Sequence, residues 1–324
     1  MLTDLTLDEL ANVIPVQVEP DDFDSFWTRT LTEARSHSLD VMVERVTSPI
    51  ETIDLFDVTF SGFNGQRVRA WLRIPHGAKA PLPCIAEFVG YGGGRGLAED
   101  NLFWASAGFA HLHMDTRGQG STWSIGVTPD DASSGPRIPG MMTNGIQSPD
   151  DYYYRRLMTD AVRAVEAVAS LPEIDESRIT VLGASQGGGL ALAVAGLSTV
   201  VDSLVAYVPF LCDFPRAILI TDSDPYNEIS RYLKVHRTEE ANVLRTLSYF
   251  DGVNFARRAH AKAWFTTSLM DPVCPPSTVH GAYQAYAGPK EIKVWTHNGH
   301  EGGGRDDDLR LAPLLKARAG VRTH

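Results

Sequence analysis

The segment Arg178-Ile-Thr-Val-Leu-Gly183-Ala-Ser185-Gln-Gly187-Gly-Gly189-Leu-Ala limits the possible folds more than any other part of this 324-residue chain. An apolar, strand-like run passes directly into an Ala/Leu-rich helical pattern, and the junction reads G-x-S-x-G. A serine at so sharp a strand-to-helix turn is held in a strained backbone conformation with its hydroxyl exposed. Small flanking residues let the neighbouring elements approach. The following helix aims its positive N-terminal end at the serine, which favours negative charge developing there. Ser185 is therefore the candidate nucleophile. A Gly-rich turn with a spectator serine is the bland alternative, and the flanking strand and helix argue against it.

The surrounding pattern agrees with such a turn. Short apolar runs at 83–89, 109–114, 178–182, 204–208, 262–268 and 291–296 alternate with helical patterns at 98–107, 151–171 and 188–197. That alternation predicts an α/β fold with a mostly parallel sheet covered by helices on both faces. Ahead of it, strand-like runs at 53–61 and 67–74 flank Gly62-Phe-Asn64-Gly65, a hairpin signal. The first 50 residues read as a polar helical extension anchored by Phe23, Phe26 and Trp27. Residues 120–150, rich in Gly, Pro, Ser and Met, and the charged helical stretch 213–251 read as insertions in one domain spanning 1–324.

Composition excludes several classes of function. With 43% apolar and 21% charged residues the chain can bury a large core. Its net charge of −11 argues against a sequence-independent grip on nucleic acid or an anionic membrane. The most apolar stretch, residues 187–211, is broken by Ser198, Thr199, Asp202, Ser203 and Pro209, so it is not a membrane span. The N-terminus lacks the basic and apolar regions of a secretory signal. Cys84, Cys212 and Cys274 cannot all pair and form no CxxC, which points to packed free thiols and a cytoplasmic setting.

A serine hydroxyl needs a base, and the base needs a carboxylate to orient it. Of ten histidines, only His297 and His300 follow a late strand. His300 lies in the Gly-rich loop beyond it and is the candidate base, while His297 is expected within or capping the strand. Asp271, at the end of the preceding strand and before a proline-rich loop, is the candidate acid. Its rival Asp251 reads as a helix N-cap ahead of Gly252. Acyl transfer also needs oxyanion donors, for which the N–H groups of Gln186 and Tyr91 are the candidates. Tyr91 lies in the loop Phe88-Val89-Gly90-Tyr91-Gly92-Gly93-Gly94-Arg95. This loop breaks the G-x-G-x-x-G pattern and no P-loop exists, so no nucleotide cofactor is expected. His111-Leu-His113-Met-Asp115 has metal-like spacing, but one strand presents such residues along a line, and packing is the expected role. No metal is expected.

Several of these stretches together resemble the acetyl xylan esterase / cephalosporin C deacetylase family, carbohydrate esterase family 7. They are Asp115-Thr-Arg117-Gly118-Gln119-Gly120-Ser121, Gly183-Ala-Ser185-Gln186-Gly187-Gly188, Asp271-Pro-Val-Cys274-Pro275-Pro276-Ser277-Thr278 and His300-Glu301. Val208-Pro209-Phe210-Leu211-Cys212-Asp213-Phe214 and Leu247-Ser-Tyr-Phe250-Asp251 also match. The resemblance runs from about residue 10 to 318. It implies an α/β-hydrolase with Ser185, Asp271 and His300 as triad and the Tyr91 and Gln186 amides as oxyanion hole. Arg117 and Gln119 then support the site structurally. It also implies a serine esterase acting on small acetylated sugars and cephalosporin C, assembled as a hexamer, with no cofactor. Trp123, Pro209 and Phe210 are the candidate pocket residues. The family's oxyanion loop usually reads His-Gly-Tyr, and Val89 stands here in place of that histidine. A broader short-chain carboxylesterase, a dienelactone-type hydrolase or peptidase, and a non-catalytic binding protein are the competing readings.

Overall fold

The β-branched and aliphatic runs fold into nine strands among residues 2–79, 81–132 and 135–320, which the computed structural model describes. They are β1 (Met42–Arg45), β2 (Ile53–Ser61), β3 (Arg67–Pro75), β4 (Leu82–Phe88), β5 (Ala110–Met114), β6 (Ile174–Ala184), β7 (Val201–Tyr207), β8 (Lys262–Ser268) and β9 (Lys290–Trp295). The sheet order is β1-β2-β3-β5-β4-β6-β7-β8-β9. β1, β2 and β3 join in antiparallel fashion up to β5, and every pairing from β5 to β9 is parallel. The Asn-Gly signal closes the β2–β3 hairpin: Ser61 pairs with Arg67, and Asn64 and Gly65 take φ of 51° and 70°.

Strand periodicity divides the core between the two faces. Cys84, Ala86 and Phe88 of β4, with Val181, Leu204 and Ala206, point into the larger apolar cluster. The helices Tyr153–Ala169 and Gln186–Leu197 cover that face. Ile85, Leu182, Val205 and Trp264 point the other way, onto Trp104, Phe109, Leu311 and Leu315. Parallel strands buried on both faces read as continuous apolar runs for this reason. Phe23, Phe26 and Trp27 of the helix Phe23–Arg35 are buried, and their rings meet Tyr249, Phe250 and Phe255.

Three local expectations change. Residues 42–45 form the edge strand β1 rather than helix, and all four are exposed on an edge that carries Glu44 and Arg45. The helix expected over 98–107 contracts to Phe103–Ser106, because Leu97 and Ala98 use their carbonyls to accept from Arg73. The helix expected over 151–171 contracts to Tyr153–Ala169, and Asp150 ahead of it pairs with Arg29 at 2.8 Å. Among the described residues no helix is long and apolar enough to cross a membrane.

The parallel arrangement determines where a site can form. β4, β6, β7, β8 and β9 end at the same edge, the usual position of a ligand crevice in such sheets. Tyr91, Ser185, Asp271 and His300 all follow the carboxyl ends of these strands.

Candidate active site

Ser185 takes φ 56°, ψ −121° between β6 and the helix Gln186–Leu197. A non-glycine residue rarely adopts such angles, and here the surroundings enforce them. Ser185 N–H donates to Tyr207 O at 2.9 Å, and its carbonyl accepts from Phe210 N–H at 2.9 Å. The two motif glycines are steric requirements. A Cβ on Gly183 would lie 2.2 Å from the Gly187 backbone, and one on Gly187 would lie 2.0 Å from Phe88 O.

The loops after β8 and β9 bring two further groups to this serine. His300 Nε2 lies 3.0 Å from Ser185 Oγ, and His300 Nδ1 lies 2.9 Å from Asp271 Oδ2. Asp271 is fully buried, and its Oδ1 accepts from Val273 N–H at 2.8 Å and Cys274 N–H at 2.9 Å. The prolines that follow fix this turn and start the helix Pro276–Ala285. Glu301 shapes the histidine loop by accepting from Gly299 N–H and Asn298 Nδ2 at 3.1 and 3.0 Å. Its own N–H, that of Gly299 and the Asn298 amide hold its carboxyl below the usual glutamate range. His297 lies past the end of β9, exposed and outside this relay, rather than within the strand. Asp251 is the N-cap of the helix Gly252–Ala256, donating nothing to the site and accepting from Val253 N–H at 2.9 Å.

The loop after β4 completes the surroundings of Ser185. Among the described residues no acceptor meets the N–H of Tyr91 or of Gln186. The Gln186 side chain points away from the serine and ties the two loops together. Its Nε2 donates to Val89 O at 3.1 Å, and its Oε1 accepts from Gln119 and Tyr154, both at 2.9 Å. Gln119 Oε1 in turn accepts from Gly92 N–H at 2.7 Å. Gln119 thus bridges the Tyr91 loop and the nucleophile turn. Arg117 lies deeper, fully buried, with Asp160 at 2.5 and 2.8 Å. Both residues brace the site without entering it. Val89 is buried, and its carbonyl serves the Gln186 bond, so the loop is built through backbone where the resemblance has histidine.

A cleft of about 790 Å³ opens over Ser185 and His300. Trp123 forms part of its wall, exposed, and clasps Tyr91 O through Nε1 at 2.8 Å. Pro209 and Phe210 do not line it, a correction to the sequence reading. Phe210 is fully buried with its ring 4.3 Å from that of Tyr226, and Pro209 packs beneath Gly188. Asp224 and Pro225, from the stretch 213–251, reach the cleft instead, with Val273. An Asp-Pro pair signals a turn in the sequence, but its distance from the motifs hides where that turn will sit.

His113 and Glu87 also border the cleft. Burial pushes His113 down to about 3 and keeps its ring neutral. Burial opposes ionisation of Glu87, but the His111 hydrogen bond at 2.8 Å and the Asn101 amide at 2.8 Å outweigh it. Asp115 faces elsewhere, accepting from the N–H groups of Arg95, Val127 and Thr128. Among the described residues the His111–Asp115 run therefore offers no converging metal ligands. Asp271, Cys274 and His300 do bring ligand atoms within 4.8 Å of one another, but Asp271 and His300 are engaged in the relay with Ser185. All three cysteines are free and buried, and burial raises the Cys274 thiol well above its ordinary value.

Beyond this geometry, the acetyl xylan esterase family profile matches residues 1–314. The chain belongs to the acetyl xylan esterase family. This is a family of carboxylic ester hydrolases, and among its solved structures is an acetyl xylan esterase from Paenibacillus sp. R4. That structure is 39% identical and superposes with a TM-score of 0.92 over 97% of this chain and 99% of that one. Acetyl xylan esterase 1 from Thermoanaerobacterium sp. JW/SL YS485 is 33% identical with a TM-score of 0.89, over the same shares of both chains. These likenesses identify the α/β-hydrolase fold. The acetyl esterase Axe7A of Xylanibacter ruminicola is 30% identical over 292 residues, which is 88% of this chain and 64% of that protein. The chain thus spans about two thirds, at 64%, of the length of that curated relative.

Proposed function

We propose that this acetyl xylan esterase family member is a serine esterase that removes acetyl groups from small acetylated substrates, among them xylo-oligosaccharides, simple sugars and cephalosporin C. The Asp271–His300–Ser185 relay, with contacts of 2.9 and 3.0 Å on a strained turn, carries this reading. His300 Nε2 takes the hydroxyl proton while Ser185 Oγ attacks the acetyl carbonyl. Asp271 holds the imidazole tautomer with Nδ1–H and stabilises the imidazolium that forms. The unengaged N–H groups of Gln186 and Tyr91 receive the oxyanion. Each such donor contributes about 3–4 kcal/mol in oxyanion holes of this kind. The alcohol leaves with the proton from His300, and water, activated by the same imidazole, releases acetate and restores Ser185.

The family resemblance also supports a homo-oligomer, hexameric in form, and the three free, buried cysteines support a cytoplasmic setting. The experiment is a panel of acetylated xylo-oligosaccharides, cephalosporin C and p-nitrophenyl esters of increasing acyl length. We expect kcat/KM to fall steeply beyond acetyl. A flat profile through butyryl and longer chains would make the protein a broad carboxylesterase instead.

A further inference from the structure

We propose that Glu228 is a positioning residue for the oxyanion hole, acting through the Tyr91 side chain. The proposal rests on the reading of Tyr91 N–H as an oxyanion donor. Glu228 lies on the helix Tyr226–Val235, within the inserted stretch and far in sequence from the site motifs. Its carboxylate is buried, and each oxygen has its own donor. Tyr91 OH donates to Oε1 at 2.8 Å, and Met142 N–H donates to Oε2 at 3.1 Å. Met141 N–H donates to Tyr91 OH at 2.5 Å, completing the ring. Gly140 passes so close that a Cβ there would lie 2.2 Å from Oε1, so this backbone is fitted around the carboxylate. No step of the mechanism uses Glu228, yet two segments distant in sequence, the Tyr91 loop and residues 140–142, meet on it.

Tyr91 is consequently held from three directions. Trp123 fixes its carbonyl, Gln119 fixes the next peptide N–H, and Glu228 fixes its side chain. With the Cα and the following peptide restrained, the Gly90–Tyr91 peptide has little freedom to swing its N–H away from the serine. Pre-organised donors stabilise an oxyanion because they need not reorient during reaction. Loss of the side-chain anchor restores that freedom, and the effect falls on the transition state rather than on substrate binding.

The carboxylate can also be read through pH. Burial pushes Glu228 up to about 7, with Asp224 adding to the rise, while the Tyr91 and Met142 hydrogen bonds and Arg231 oppose it. The phenols of Tyr152 and Tyr154 also face it and stay neutral, because burial raises both well above their ordinary value. An ionised Glu228 accepts the Tyr91 hydroxyl more strongly than a protonated one.

The test compares wild type, Glu228→Gln, Tyr91→Phe and the double variant on p-nitrophenyl acetate, with active sites counted by a fluorophosphonate. At pH 8 each single change should lower kcat per titrated site about 10-fold, with KM within about 2-fold. The double variant should be no worse than the weaker single, since both changes act on the same contact, which Glu228→Gln weakens and Tyr91→Phe removes. The wild-type to Glu228→Gln ratio of kcat should shrink toward about 2-fold at pH 5.5. A kcat within 2-fold of wild type at pH 8, multiplicative losses in the double variant, or a ratio flat with pH would overturn the proposal. A loss explained wholly by fewer titratable sites would do the same. If Glu228→Gln does not fold, Tyr91→Phe alone decides by the same kcat criterion. Wild type that neither labels on Ser185 nor cleaves esters would overturn the esterase reading itself, a separate outcome.

Discussion

Asp271→Asn isolates what the carboxylate does, because the structure dictates how the new amide must sit. Oδ1 accepts two backbone N–H bonds, from Val273 at 2.8 Å and Cys274 at 2.9 Å, inside a fully buried turn. An NH2 group in that place would face two donors and leave both unsatisfied, at about 1–3 kcal/mol each. The amide oxygen therefore takes the Oδ1 position, and the NH2 faces His300 Nδ1, 2.9 Å away. His300 must then accept at Nδ1 and carry its proton on Nε2, the atom 3.0 Å from Ser185 Oγ. That tautomer cannot take the serine proton. Reaching the productive tautomer means flipping the amide, at about 2–6 kcal/mol in total. The expected loss in kcat is thus between about 30-fold and about 10⁴-fold, the upper end matching known carboxylate-to-amide changes in such triads. The assay is steady-state hydrolysis of p-nitrophenyl acetate, with folding checked by circular dichroism and urea unfolding. The two retained N–H bonds should keep stability near wild type. A kcat within 10-fold of wild type, in folded protein, would refute the tautomer argument.

Other changes probe the frame around the relay. Asp160→Asn breaks the buried pair with Arg117 and removes part of the support for Phe63 N–H at 2.8 Å. It should cost about 3 kcal/mol in urea unfolding, the low end for breaking a buried pair, because the buried guanidinium keeps only the longer Asp130 contact, at 3.4 Å, as its carboxylate partner. Gln119→Leu removes the bonds to Gly92, Tyr153 and Gln186. It should lower kcat about 10-fold and stability by about 1–3 kcal/mol, measured by kinetics and unfolding on the same preparation. Stability should also depend on Glu228, whose folded-state value of about 7 lies above its ordinary 4.5. The protonated form is the favoured one in the folded protein. Its contribution is full below about 4.5 and lost as pH rises through about 7, at most about 3 kcal/mol. Urea unfolding at pH 5 and pH 8 should show wild type losing more stability than Glu228→Gln.

Much of the site was legible in the sequence because its chemistry is local. The turn at Ser185 carries its own strand, glycines and helix start, and the loops bearing Asp271 and His300 each directly follow an apolar run. Fixed strand order then brings the three together. Pocket walls follow no such rule. Pro209 and Phe210 are near Ser185 in space yet sit beneath the turn, since Phe210 N–H is engaged with the Ser185 carbonyl. Glu228 lies on an amphipathic helix where a single acidic residue reads as solvent-facing, and only tertiary packing buries it against Tyr91. The edge strand β1 was missed for a similar reason. Met42-Val-Glu-Arg45 is short and exposed, and pairing with β2 makes it a strand.

Two-step acyl transfer requires Ser185 to carry the acetyl group between attack and hydrolysis. Wild-type protein mixed with p-nitrophenyl acetate, quenched in acid within the first turnover and digested, should carry one acetyl group on the peptide containing Ser185. Ser185→Ala should carry none and turn over no ester. Acetyl found on another residue, or turnover retained in folded Ser185→Ala, would contradict it.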